Sequence, residues 1–345
     1  MTFWLDPTGQ QEGQAVAVRV QPRPQRARGW YRALYADDLE PGQVRSVSML
    51  GCELAAYRGQ DGAVRIVDAY CPHLGAHLAY GWRVDGDAIV CPFHGWRWDG
   101  ETGACLEIPY SKRVPAATRL VPWTTRELNG YVILWYDPTG RGPDFEIPAI
   151  PETIDPEFEL YKRVHWELDT HIQEIYENVV DVQHFISLHG MQVQQVAWEP
   201  VGDPQSPIVR LEVHFARDSE AQSDEQGETE IESFMYGPGL QVTRLAGRMR
   251  GVSVNSLTST NDGRVRVDHA YYVHRSETDE RAETEAFWNY YMDDHALDFN
   301  IWNHKTYLEK PALAPEDGDI AGFRRWFRQF YVQPDESAGQ GEGHG

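Results

Sequence analysis

Between Trp30 and Tyr136, apolar side chains come in short runs broken by turn residues. The segments VRSVSML (44–50), CELAAYRG (52–59), VRIVDAY (64–70), DAIVCPF (87–93) and YVILWY (131–136) each have strand length. Asp61-Gly62, Asp85-Gly86 and Asp99-Gly100 punctuate them, so this stretch reads as a compact all-β unit. The run from Asp137 to Pro143, with Pro148, Pro151 and Pro156 behind it, marks a domain boundary. Beyond it the period lengthens, and DTHIQEIYENVVDVQHFISLHG (169–190) predicts a single helix. Strands follow around 208–217, 228–236, 240–246, 249–259 and 263–274, with an Asn-Asp-Gly hairpin turn at 261–263. Two helices, roughly 279–308 and 318–331, close the pattern.

The pattern gives an α+β protein in four parts: an irregular arm (1–27), an all-β domain (28–145), a sheet-and-helix domain (146–332) and a tail (333–345). The tail, ending in DESAGQGEGHG, is polar and glycine-rich and reads as disordered. No internal repeat is visible.

Composition adds exclusions. At 345 residues, 41% hydrophobic and 12% aromatic, the chain has enough apolar material for about two cores. A net charge of −22 repels nucleic acid and anionic lipid, which argues against both as partners. No apolar run of eighteen residues occurs, and the first residues lack a secretory signal, so the expectation is a soluble cytoplasmic protein without a membrane span. Four cysteines could form two disulfides, but two of them sit in a ligand pattern and a cytosolic setting keeps thiols reduced.

That pattern is Cys71-Pro-His73 followed, seventeen residues on, by Cys91-Pro-Phe-His94. Two thiolates and two imidazoles suit structural zinc. Zinc fingers, however, usually pair Cys with Cys and His with His. Here each pair mixes the two types, as an iron–sulfur cluster requires when two Cys hold one iron and two His the other. The segments CPHLGAHLAYG and CPFHGWRWDGETG resemble the Rieske signature. Rieske proteins of respiratory complexes carry a further cysteine pair that braces the two loops. Ala76 and Phe93 stand there in this chain, as in the domains of oxygenases and their ferredoxins. Cys52 and Cys105 lie outside the loops and read as buried small apolar residues.

A Rieske ferredoxin would end near residue 110, and this chain continues for over two hundred residues more. His184 and His189 offer two neutral nitrogen donors, which a carboxylate from elsewhere would complete as a facial triad. On an ideal helix an i,i+5 spacing sets two rings about 140° apart, so the helix must distort or end near His189, and Gly190 permits that. Asn178, Asp181 and His184 fall at i,i+3 steps along one face. Two histidines at such a spacing are, taken alone, more often surface residues of an amphipathic helix. The segment nevertheless resembles the N-x-x-D-x-x-H-x-x-x-x-H of Rieske oxygenases. That resemblance implies His184 and His189 as iron ligands and Asn178 and Asp181 as catalytic side chains. Asp181 would bond a ligating His and bridge to a Rieske His of the neighbouring subunit. Asp298, in the D-x-x-I-W context Asp298-Phe-Asn-Ile301-Trp302, matches the third ligand of the ketosteroid-active members. Asp293 and Asp294 read as solvated charges.

From Arg28 to Val332 the chain resembles ketosteroid 9α-hydroxylase oxygenases and the cholesterol 7-desaturase group. The likeness implies a START-like (helix-grip) catalytic domain and a head-to-tail homotrimer. It also implies a 2Fe–2S cluster bound by Cys71, His73, Cys91 and His94, together with a mononuclear Fe(II). The substrate would be a hydrophobic polycycle, a sterol or steroid, that is hydroxylated or desaturated with O₂. No G-x-G-x-x-G fingerprint is present, so NAD(P)H would act through a separate ferredoxin or flavin reductase. Two alternatives stay open: an oxygenase or N/O-demethylase for a smaller aromatic or alkaloid, and an electron carrier without substrate chemistry. Phe234, Met235, Tyr236 and Leu240 would either line an apolar pocket or fill the sheet's core. Arg83, Arg97, Lys112 and Arg113 are either a reductase docking patch or ordinary surface charges.

Overall fold

The computed structural model describes residues 26–81, 83–115, 118–215, 230–246, 250–278 and 281–332. Its N-terminal part is built from β1 (Gly29–Tyr35), β2 (Val44–Met49), β3 (Cys52–Arg58), β4 (Val64–Asp68), β5 (Arg83–Asp85), β6 (Ala88–Val90), β7 (Arg97–Asp99), β8 (Cys105–Glu107), β9 (Pro122–Trp123), β10 (Thr125–Leu128) and β11 (Tyr131–Tyr136). They form three small sheets, ordered β1-β11-β10, β2-β3-β4-β9 and β5-β6-β7-β8. All five runs read from the sequence contain strands.

The C-terminal part is a seven-stranded antiparallel sheet with helices against it. In chain order its elements are β12 (Phe158–Leu168), α1 (Ile172–Glu177), α2 (Val182–Ser187), β13 (Val193–Pro200), β14 (Ile208–Phe215), β15 (Glu230–Tyr236), β16 (Leu240–Ala246), β17 (Gly251–Ser259) and β18 (Val265–His274). Helices α3 (Arg275–Thr278), α4 (Arg281–Trp302) and α5 (Ile320–Phe327) follow. The sheet order is β12-β18-β17-β16-β15-β14-β13. Interior strand β17 is buried at every position, so both of its faces are covered. The Asn-Asp-Gly turn joins β17 to β18 as read, with Gly263 at φ +87° and Thr260 N–H donating to Arg264 O (2.9 Å).

Eight strands escaped the sequence pattern: β5, β7, β8, β9 and β10, each only two to four residues long and too short to show an alternation, and β1, β12 and β13. β12 and β13 are the two edges of the large sheet, where Leu168 is the one fully buried residue, so no buried face marks an alternation. β1 is buried on both faces and shows no alternation.

The helix expected over 169–190 is two. Asn178 ends α1, and Asp181 caps α2 with its carboxylate accepting the N–H groups of Gln183 (3.0 Å) and His184 (3.1 Å). Asn178, Asp181 and His184 therefore do not share one continuous helical face. At Gly318, φ is +90° and a Cβ would lie 2.2 Å from the Val180 carbonyl, so the chain ahead of α5 presses on this break. The helix expected at 279–308 stops at Trp302, and the His304 Nδ1–H donates to the freed Asn300 carbonyl (2.7 Å). The last helix is α5 and then a single 3₁₀ turn, Arg328–Phe330. The arm before residue 26 and the tail after 332 lie outside the described residues.

The two parts share a core. Tyr31, Leu34 and Leu54 pack in one buried cluster with Ile172, Tyr176, Trp302, Phe323, Phe327 and Phe330. A fully buried phenylalanine is worth about 1.5–3 kcal/mol over an exposed one, so α5 is held mainly by this contact. A buried ion pair, Arg32 with Asp268, also crosses between β1 and β18, and Arg32 Nε donates to Ser256 Oγ (2.8 Å).

Candidate metal centres

The loops Cys71–Ala76 and Cys91–Trp96 close in the same way. The Cys71 N–H donates to Ala76 O and the Gly75 N–H to Cys71 O, both at 2.9 Å. The second loop repeats this with Cys91 to Trp96 (2.8 Å) and Gly95 to Cys91 (3.0 Å). Gly75 and Gly95 both sit at φ +73°, a conformation that glycine adopts without strain. The two loops are one turn used twice, with the histidine third in the first and fourth in the second.

Both cysteines are buried in a cluster with Leu78, Ile89, Trp96 and Trp98. Cys91 accepts a hydrogen bond from Cys71 and others from the N–H groups of Phe93 and His94, which together pull its pKa down to about 6. The same shared proton, with burial, pushes Cys71 up. The rings of His73 and His94 lie 4.8 Å apart, and the Nδ1 atom of each is buried without a hydrogen-bond partner. Two adjacent buried nitrogens left unpaired call for a partner that is not protein. With the two sulfurs they form the donor set of a 2Fe–2S cluster bound by two Cys and two His. His73 stacks on Trp96 (4.5 Å, 12°), whose indole N–H donates to the Tyr110 hydroxyl (2.8 Å). Leu74 (65% exposed), Phe93 (62%) and Tyr110 (63%) surround the histidines with apolar surface. Cys52 and Cys105 are free thiols but only half-buried, each with its S–H toward a backbone carbonyl. Of the four cations considered as a patch, Arg97 is paired with Asp85 and Glu107, while Arg83, Lys112 and Arg113 are exposed.

The second group draws on three segments. His184 stands on α2, and its Nδ1–H donates to the Asp181 carbonyl (2.7 Å), which leaves Nε2 with its lone pair free to bind a metal. The Asp181 carboxylate is engaged in the helix cap. α2 ends at Leu188, and Gly190 takes φ +66°. His189 therefore leaves the helix, and its ring comes to 5.1 Å from that of His184. Asp298, on α4, is 4% exposed; its Oδ2 lies 3.4 Å from His189 Nε2 and its Oδ1 accepts from Asn178 Nδ2 (2.8 Å). One donor atom each from His184, His189 and Asp298 fall within 4.8 Å of one another. Two histidines and one carboxylate, clustered and mostly enclosed, fit a facial-triad iron.

Asp293 is exposed as expected, whereas Asp294 is not a solvated charge. It stands one helical turn before Asp298 and places Oδ1 3.1 Å from His189 Nδ1. The i,i+4 spacing of the two aspartates was the available signal. Burial lowers the His189 pKa, but the two carboxylates outweigh it and raise the value to about 9. His184, buried and bonded to a neutral carbonyl, is shifted down.

The three donors open on a cavity of about 140 Å³ between the helices and the sheet. Its walls include Ile175, Val179, Phe185 and Met191 on one side and Ser233, Gln241, Thr243 and Asn255 on the other. Phe234, Met235, Tyr236 and Leu240 are not among them. Met235, Tyr236 and Leu240 fill the core, and Phe234 packs partly buried against it.

Residues 29–118 match the Rieske [2Fe-2S] domain, and residues 134–331, more than half of the chain, match the 3-ketosteroid 9alpha-hydroxylase C-terminal domain. The chain belongs to the Rieske oxygenases. Cholesterol 7-desaturase nvd of Xenopus laevis is 33% identical over 329 residues, covering 88% of this chain and 71% of the relative. The 3-ketosteroid-9-alpha-monooxygenase oxygenase component of Rhodococcus rhodochrous is 31% identical over 326 residues, covering 90% and 82%. Among solved structures, dicamba monooxygenase bound to dicamba aligns with TM-score 0.68 at 17% identity over 88% of this chain and 96% of that one, a likeness of fold. The match over 134–331 also sets aside a bare electron carrier: this Rieske oxygenase is an oxidoreductase with a cluster and a mononuclear iron as cofactors. No helix among its described residues is long and apolar enough to cross a membrane.

Proposed function

We propose that this Rieske oxygenase hydroxylates or desaturates a sterol or steroid, drawing electrons from NAD(P)H through a separate reductase. The observation that carries the reading is the match of the whole catalytic region to a ketosteroid hydroxylase domain, together with relatives named for ketosteroid and cholesterol chemistry. Cys71, His73, Cys91 and His94 hold the cluster; His184, His189 and Asp298 hold the iron. When bound, the cluster relays electrons and the iron activates O₂.

The chain's own residues keep this geometry. Asp181 positions His184 through its carbonyl, Asn178 aims Asp298, and Asp294 restrains His189, as outer-shell partners of metal ligands do. The apolar helix wall excludes water from the reacting bond. The protein assembles as a head-to-tail trimer in which Asp181 bridges to the cluster histidine of a neighbouring copy. The exposed rim of Leu74, Phe93 and Tyr110 around His73 and His94 supports such a contact.

The cavity favours one competing reading. Ligand pockets usually span about 300–1,000 Å³, so at about 140 Å³ this one admits four fused rings only if its walls part. A smaller aromatic or N-methyl substrate would fit with less movement.

Turnover with a reconstituted reductase, followed by mass spectrometry, decides between them. A gain of one oxygen or a loss of two hydrogens on a sterol or ketosteroid supports the proposal; no reaction with any steroid and turnover of a small aromatic overturns it. Asp181→Asn, which retains a side-chain cap, should bind iron and reduce its cluster normally while product formation falls more than about a hundredfold. Continued turnover would refute the bridging role.

A further inference from the structure

Tyr291 lines the cavity together with the three candidate iron ligands. On α4 it precedes Asp294 by three residues and Asp298 by seven, so the three share one helical face, with about 10 Å between its ends. Behind Tyr291 lies a small apolar cluster. Trp288 and Tyr271 are fully buried there, and half-exposed Tyr161 packs against them. The Tyr291 ring is 5.5 Å from that of Trp288 and 6.0 Å from that of Tyr271, and the latter two are 4.3 Å apart. Easily oxidised rings therefore lead in contact from the cavity towards the surface.

Packing alone accounts for such a cluster, but its polar atoms add something. The Trp288 N–H is enclosed and has no acceptor among the described residues. The Tyr271 hydroxyl instead meets His269 Nδ1 at 3.0 Å, with both side chains buried. Burial, with His295 beside it, pushes the His269 pKa well below its usual value, so the ring is neutral. A neutral imidazole nitrogen can accept the phenol's proton, and no other acceptor faces that hydroxyl among the described residues. A phenol gives up an electron readily only if its proton can leave at the same time. An indole can pass a positive hole onward while keeping its proton.

We propose that Tyr291, Trp288 and Tyr271 form a relay that draws oxidising equivalents away from the iron when O₂ reacts there without substrate, with His269 as the base for Tyr271. This rests on the reading of His184, His189 and Asp298 as iron ligands. One electron passes from Tyr271 through Trp288 and Tyr291 to the O₂-derived oxidant, and the phenolic proton moves to His269 Nδ1. A neutral phenoxyl radical and an imidazolium remain. A thiol in solution, oxidised to a disulfide, returns the electron by way of Tyr161, and His269 returns the proton. The relay spares Met191 on the cavity wall, whose thioether would otherwise be oxidised to the sulfoxide.

The test reduces the holoprotein with dithionite, removes the excess, admits O₂ without substrate and freezes samples for EPR. The native protein should show a tyrosyl radical that narrows when its tyrosines are ring-deuterated. Tyr271→Phe should lose the radical with iron content and Rieske signal unchanged, and its Met191 sulfoxide, measured by mass spectrometry, should rise about threefold. Tyr290→Phe, on the exposed side of the same helix, should change neither. No radical in the native protein, or an undiminished one in Tyr271→Phe, overturns the proposal. Should Tyr271→Phe fail to hold iron, Tyr291→Phe decides: loss of the radical supports the relay, and its persistence overturns it. A native protein that holds no iron at the second centre overturns the ligand reading itself, and this proposal with it.

Discussion

The Cys71–Ala76 and Cys91–Trp96 loops and the His184–His189–Asp298 group both gather metal donors, but over very different stretches of chain. The loops lie at neighbouring points of one N-terminal β unit, and each is closed by two backbone hydrogen bonds of its own. The second group brings together residues more than a hundred positions apart, from α2, the turn after it and α4. Arg324 of α5 makes a two-pronged pair with Glu177 of α1, both contacts at 2.7 Å. The next residue, Asn178, holds Asp298. One centre is thus fixed by local turns, the other by how distant helices pack and pair their buried charges.

The largest effect should come from Asp298→Ala. Iron content should drop by one atom per chain and turnover by more than about a hundredfold, while the cluster keeps its EPR signal. Loss of the cluster as well would show that the centres are not independent. Next is Arg324→Met. It removes the cation from Glu177, 7% exposed in its side chain and left with only the Gln173 amide, and leaves nearby Glu174 only Lys305. Breaking such a pair costs about 3–5 kcal/mol, measurable by denaturant unfolding, and iron should be lost from the second centre before the cluster is. An unchanged midpoint would make the pairing incidental.

A smaller effect is expected from pH. In protein stripped of metal, the raised pKa of His189 means the folded state holds its proton more tightly than the unfolded chain. That stabilisation is complete below about 6.5 and is lost as pH rises through about 9. Thermal unfolding of metal-free protein should track this window, and Asp294→Asn should narrow it. A midpoint flat between pH 6.5 and 9 would remove the two carboxylates from the account. The smallest change is Gly75→Ala. A Cβ there meets open space, so only the left-handed backbone costs, about 1 kcal/mol. A much larger loss would mean the loop has contacts beyond its own turn.

Legibility followed the same divide. The mixed Cys–His pairs identify their chemistry at a glance, because each loop carries its donors, its proline and its glycine in six consecutive residues. His184 and His189 were visible as a pair, and Gly190 as the place where the helix could end. The break at Asn178–Asp181 was not visible, because Val179 and Val180 continue an apolar pattern that Asp181, as a cap, interrupts only in three dimensions. Asp294 looked like one more charge on an acidic helix until His189 was placed beside it. The edge strands β12 and β13 were missed because sheet edges contribute few buried side chains to a pattern.

By itself the order of residues determined the α+β class, the hairpin at 261–263, the two Cys–His turns and the donor types offered at each candidate centre. These depend on turn chemistry and donor type, which act over a few residues. Only the tertiary structure decided where α1 stops, which aspartate faces His189 and which strand residues line the cavity. Each of those is settled by the burial of groups far apart in the chain, where an unpaired charge or N–H costs more than any local preference can offset.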